Sequence, residues 1–121
     1  MDLGRFELSL NVADLGASKR FYETLGFRVV AGEESEGWLI VRNMSLTIGL
    51  FQGHVPANLL NFRGRDVFAI AAELKQRGLL PHKSAEIEPD GSAGVWFKDP
   101  DGNLIYFNTA PGETDECLPE V

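Results

Sequence analysis

The run Phe97-Lys98-Asp99-Pro100-Asp101-Gly102-Asn103-Leu104-Ile105-Tyr106-Phe107 is the clearest structural signal in the chain. Its centre is built of turn formers: Pro presets φ, Gly accepts a positive φ, and Asp and Asn side chains bond the backbone two residues on. A strand-forming run begins immediately afterwards, so the turn joins a strand at 93–98 to one at 103–108. Strand side chains alternate, which places Ile105 and Phe107 on one face and Leu104, Tyr106 and Asn108 on the other.

Moving outward, Arg5-Phe6-Glu7-Leu8-Ser9-Leu10-Asn11-Val12 alternates apolar and polar without a break, the pattern of a half-buried strand. Asp14 then offers an N-cap, Ala17, Phe21 and Leu25 recur at i, i+4 and i+8, and Gly26 ends the run. This predicts a helix lying on the Phe6, Leu8, Leu10 and Val12 face. The same grammar returns with a strand at 59–62, Asp66 as cap, a Val67, Ile70, Ala71 and Leu74 stripe, and Gly78 as stop. The capping aspartates are 52 positions apart, and so are the helix-ending glycines; two coincidences in one register identify an internal repeat. Three strands follow each helix, at 27–33, 37–42 and 45–51 and again at 81–88, 93–98 and 103–108, giving βαβββ twice. Residues 53–58, rich in turn formers, are the expected linker. Runs of strands broken by only two helices indicate the α+β class.

Asn11-Val12-Ala13-Asp14-Leu15, Ser18, Phe21-Tyr22 and Leu25-Gly26-Phe27, taken with the Asp-Pro-Asp-Gly-Asn turn, resemble the opening and closing motifs of the glyoxalase/bleomycin-resistance/extradiol-dioxygenase superfamily, the vicinal-oxygen-chelate fold. The resemblance covers nearly all of residues 5–109. It implies modules at 5–52 and 58–109 whose curled mixed sheets form a concave trough, with helices outside, either within one chain or across a homodimer. The domain is expected to occupy 1–109, followed by an acidic tail at 110–121.

With helices on one face, alternation sends Glu7, Ser9 and Asn11 to the trough, together with Thr47, Gly49 and Phe51 and with Tyr106 and Asn108. Metal-dependent relatives draw ligands from the first and last strand of each module, and the resemblance places those positions at Glu7, Gly49, Leu59 and Tyr106. Gly49 and Leu59 carry no donor side chain, whereas a catalytic site for a divalent ion typically keeps three protein ligands and an open position. Metal and other cofactors are therefore not expected. His54 in the linker and His82 past the second helix read as surface loop residues. Trp38, Phe51, Trp96 and Tyr106 suit a flat or cationic organic ligand, with core filling or dimer packing as the other reading of the tryptophans. Asn61 completes the expected ligand-contacting set. Glu7 reads as a ligand contact or, if desolvated, as a general base.

Composition narrows the partners. Net charge is −7, and four of the acids (Glu113, Asp115, Glu116, Glu120) fall within 109–121, where there is no Lys or Arg. That balance argues against nucleic acid, and the tail reads as a solvated end. Apolar runs are too short to span a membrane, no basic start leads into an apolar core, and a single cysteine, Cys117, fits a reducing compartment; a cytoplasmic protein is expected. No Walker loop, nucleophile elbow or dinucleotide fingerprint is present. Three functions follow from the residues and the resemblance: a metal-free binder of a small organic ligand, a metal-dependent lyase, isomerase or dioxygenase, and a dimeric interaction module.

Overall fold

The computed structural model describes residues 1–111 and 113. They divide into two compact units, Glu7–Leu59, and Met1–Phe6 together with the described residues from Leu60 onward. In the first, β1 (Arg5–Asn11, entering the unit at Glu7) leads to α1 (Leu15–Thr24), β2 (Arg28–Glu33), a turn of 3-10 helix at Glu34–Glu36, β3 (Trp38–Asn43) and β4 (Leu46–Phe51). In the second, β5 (Leu59–Arg63, entering at Leu60) leads to α2 (Val67–Gln76), β6 (Lys83–Ile87), β7 (Ala93–Lys98) and β8 (Leu104–Thr109). The α+β class and the two βαβββ modules are thus as expected. Strand order is β2-β3-β4-β1 in one and β6-β7-β8-β5 in the other, so each module places its opening strand beside its last. β1 runs parallel to β4, with Ser9 opposite Gly49 and Asn11 opposite Phe51. The pairs β2–β3, β3–β4, β6–β7 and β7–β8 are antiparallel.

Both caps form as their spacing predicts. Asp14 accepts from the Ala17 amide, and Asp66 accepts from the Phe68 and Ala69 amides, which satisfies N–H groups left open by the first helical turn. Gly26 and Gly78 follow the helices at φ 98° and 87°, where a Cβ would be strained. The Asp99 carboxylate holds the β7–β8 turn: it accepts the Asp101 and Asn103 amides at 2.9 Å each and the Asn103 side chain at 2.7 Å. Those donors, the Asn103 side chain foremost, hold its carboxyl below the ordinary aspartate value.

Val67 and Ile70 of α2 are buried with Ala93, Val95, Phe97 and Phe107, and Ala71 and Leu74 pack against them. Helix α1 departs from its expected orientation. Phe21 and Leu25 remain 60% and 55% exposed, while Leu15 is buried against Leu39, Val41, Ile48 and Leu50 and Tyr22 packs beside it. At 3.6 residues per turn an i, i+4, i+8 stripe drifts by about 80°, whereas Leu15 and Tyr22, at i and i+7, return within about 20°. Tyr22 also meets Phe27 edge-on at 5.5 Å. The tighter stripe wins the sheet and turns Phe21 outward. No helix among the described residues is long and apolar enough to cross a membrane.

On this packing, Phe21→Ser and Leu25→Ser are expected to change stability by no more than about 0.5 kcal/mol each, while Ile70→Ala costs about 2–4 kcal/mol; urea unfolding of the three variants checks the assignment.

Candidate functional site

The face of each sheet turned away from its helix carries the residues that the sequence nominated. In the unit Glu7–Leu59 this face holds Glu7, Ser9 and Asn11 on β1, Thr47, Gly49 and Phe51 on β4, and Trp38, Ile40 and Arg42 on β3. Register sets their neighbours: Phe51 lies between Asn11 and Trp38, and Gly49 between Ser9 and Ile40. Trp38 and Phe51 stack with centroids 6.4 Å apart and planes 6° from parallel. The Phe51 ring also folds back over Gly49: a Cβ there would overlap Phe51 Cε2 and lie 2.7 Å from Glu7 Oε1. Glu7 and Ser9 are 6% and 1% exposed, so neither faces open water. Arg42 Nε donates to Thr47 Oγ1 at 3.1 Å. The Asn11 amide donates to Asn58 Oδ1 at 2.8 Å, leaving the Asn11 side chain on the exposed edge of the face.

The second unit repeats the device. Trp96 and Tyr106 are cross-strand partners and stack at 4.0 Å and 18°. The tyrosine hydroxyl lies over Gly94, where a Cβ would overlap it. Burial, with smaller contributions from the negative charges of Glu88 and Asp90, raises the Tyr106 phenol above the usual 10.0, so the ring is neutral at physiological pH. Asn108 stands opposite Gly94 and donates from Nδ2 to the Asn61 side-chain oxygen. Asn61 itself is 7% exposed. Glu7, Ser9, Asn11, Trp38, Thr47 and Phe51 thus share one face, and Asn61, Trp96, Tyr106 and Asn108 share another.

The four family metal positions do not fit a metal ion. Gly49 has no donor, and the space above it is filled by the Phe51 ring. Leu59 is 2% exposed and apolar. Tyr106 is a neutral phenol committed to the Trp96 stack, and Glu7 alone offers a carboxylate, against the three protein ligands of a usual catalytic site. Among the described residues no group of three His, Cys, Asp or Glu side chains is placed to hold an ion. His54 Nε2 lies 2.7 Å from the Glu36 carbonyl, and His82 is exposed beside β7, in keeping with surface loop residues.

One cluster was missed by sequence reasoning. Glu113, expected to be part of a solvated tail, places Oε2 at 3.5 Å from Arg5 Nη2 and 3.7 Å from Arg63 Nη2, and its Oε1 accepts the Ala110 amide at 3.0 Å. The Glu113 side chain is only 14% exposed, each arginine 24%. The alternation that puts Arg63 on the face of Asn61 was the available signal; the long sequence separation of Arg5, Arg63 and Glu113 hid their meeting. Cys117 and the other tail acids lie outside the described residues.

The sequence profile of the Glyoxalase/Bleomycin resistance protein/Dioxygenase superfamily matches residues 4–107. Among solved structures, an NAD-dependent benzaldehyde dehydrogenase from Legionella pneumophila is similar, at 14% identity and TM-score 0.71, with 86% of this chain and 97% of that one covered. A glyoxalase/bleomycin resistance protein/dioxygenase superfamily member from Vibrio splendidus 12B01 is 16% identical at TM-score 0.63, covering 87% of this chain and 97% of its own. A hypothetical protein from Bacillus halodurans C-125 is 12% identical at TM-score 0.64, covering 89% and 94%. These likenesses are of fold. No curated protein matches the chain significantly.

The glycine–aromatic contacts are expected to be strongly coupled. Gly49→Ala should destabilise by about 1–3 kcal/mol through overpacking, and the cost should shrink when Phe51→Ala is added. A double-mutant cycle in urea measures this, and simple additivity would mean that the ring does not occupy the space over residue 49.

Proposed function

The chain belongs to the Glyoxalase/Bleomycin resistance protein/Dioxygenase superfamily, and from that premise we propose that it binds a small, flat organic molecule without metal. The observation that carries this reading is the Trp96–Tyr106 stack at 4.0 Å over Gly94, repeated as Trp38–Phe51 over Gly49. A stacked pair presents a flat π surface, and a planar ligand extending it gains about 0.5–1.5 kcal/mol beyond the area buried. Asn61 and Asn108 supply amide groups beside that surface to fix orientation, the usual division of labour in ligand sites. Neutral Tyr106 adds no charge to that surface. The contacts proposed are Trp96, Tyr106, Asn61 and Asn108 in one unit and Glu7, Ser9, Asn11, Trp38, Thr47 and Phe51 in the other. The protein is proposed to work in the cytoplasm, consistent with the lone cysteine, and as a homodimer. Its acidic charge disfavours nucleic acid and anionic membrane surfaces.

A second reading rests on Glu7, a 6% exposed carboxylate whose Oε1 points at the Phe51–Gly49 contact. A carboxylate so enclosed would serve as a general base for proton abstraction. The donor set offers no metal to stabilise the resulting anion, so binding ranks ahead of catalysis.

Tryptophan fluorescence tests the first reading. Quinoline and indole, titrated into the Trp38→Phe variant, are expected to quench Trp96 saturably, with affinity unchanged by EDTA and reduced tenfold or more by Tyr106→Ala. Binding that vanishes with EDTA, or that ignores both aromatic pairs, contradicts it.

A further inference from the structure

Arg5 and Arg63 converge on the carboxylate of Glu113, in a chain with only 11 basic residues against 18 acids. The two separations, 3.5 and 3.7 Å, are longer than the roughly 2.7–2.9 Å of a well-made charge-assisted hydrogen bond. Arg5 meets Glu113 through Nη2 alone; its Nη1 is buried and has no hydrogen-bond partner among the described residues. Guanidinium is a planar fork that matches a carboxylate two-pronged, and an unmade buried donor is costly. Glu113 has one oxygen tied to the Ala110 amide and cannot present both to an arginine. It fills the site imperfectly.

The site adjoins the aromatic stack of the same unit. Arg63 and Asn61 alternate onto one face of β5, Asn61 is bonded to Asn108, and Asn108 lies two residues along β8 from Tyr106, about 7 Å by strand rise. The Gly64 amide donates to the Asn108 carbonyl at 3.0 Å, so Arg63 lies beside Asn108, on the face that carries the stack.

We infer that Arg5 and Arg63 form a carboxylate-binding site in which Glu113 is a stand-in, and that the natural ligand is a flat organic acid whose carboxylate displaces the Glu113 side chain. This deepens the proposed function and rests on it for the ring; the acid site itself stands on the arginines alone. Being tethered, Glu113 competes at the high effective concentration of an intramolecular group, so removing its charge should tighten binding of an external acid.

Benzoate, benzamide and acetate distinguish the parts. NMR of arginine side-chain N–H signals and of the Ala110 amide follows each titration in wild type, Glu113→Gln and Glu113→Gln/Arg5→Met. Benzoate and acetate are expected to shift the Arg5, Arg63 and Ala110 signals saturably in wild type, to bind at least fivefold tighter to Glu113→Gln, and to lose that gain in Glu113→Gln/Arg5→Met. Benzamide should leave the arginine signals unmoved in all three. The wild-type Ala110 readout needs no variant, so a poorly folded Glu113→Gln does not block the test. Acetate gaining in Glu113→Gln while benzamide fails to bind supports the acid site and counts against the aromatic reading. Benzamide bound on the stack while neither acid moves the arginines overturns the acid site and leaves the aromatic reading intact. Equal gains for benzoate and benzamide in Glu113→Gln also overturn it, because the effect would then be loosening rather than charge.

Discussion

Each module commits one face of its four-stranded sheet to a ten-residue helix, and strand alternation then fixes what the opposite face must carry. Val95, Phe97 and Phe107 go under α2, so Gly94, Trp96, Tyr106 and Asn108 must appear on the other side. Leu39, Val41, Ile48 and Leu50 go under α1, so Trp38, Ile40, Gly49 and Phe51 do likewise. A slip of one residue would exchange the two sets, and burial of the apolar set holds the register.

On those faces the decisive feature is a missing Cβ. Phe51 and Tyr106 lie across the backbone of their neighbours because residues 49 and 94 are glycines. The same geometry that lets the rings settle removes the carboxylate that metal-dependent relatives would supply at residue 49. At residue 49 the space a larger side chain would need is taken by the Phe51 ring. In the other unit Arg5 and Arg63 gather two positive charges, in a chain whose net charge is −7.

Much of this was legible in the sequence, for physical reasons. Asp14, Asp66 and the Asp99 turn act locally, through side chains bonding amides a few residues away, and short-range chemistry shows in short-range pattern. The face assignments of Glu7, Phe51 and Tyr106 followed from period-two alternation. Phe21 misled because its stripe is as apolar as the one that packs; only the angle of drift around the helix separates them, and tertiary contact with Phe27 settled it. That Trp96 and Tyr106 would stack depends on cross-strand register, which a turn sequence constrains but does not spell out. Glu113 was hidden for another reason: an acid in an acid-rich segment has no basic residue nearby in sequence, and its arginines lie 108 and 50 positions away in the chain.

On the metal-free reading proposed above, Glu7, Gly49, Leu59 and Tyr106 hold no divalent ion. Calorimetric titration of chelator-stripped, tag-free protein with Ni²⁺, Zn²⁺ and Mn²⁺, run beside Glu7→Gln, tests this. No stoichiometric tight binding of any of the three is expected, and no difference between wild type and variant. Tight binding of one ion per chain that disappears in Glu7→Gln would contradict it.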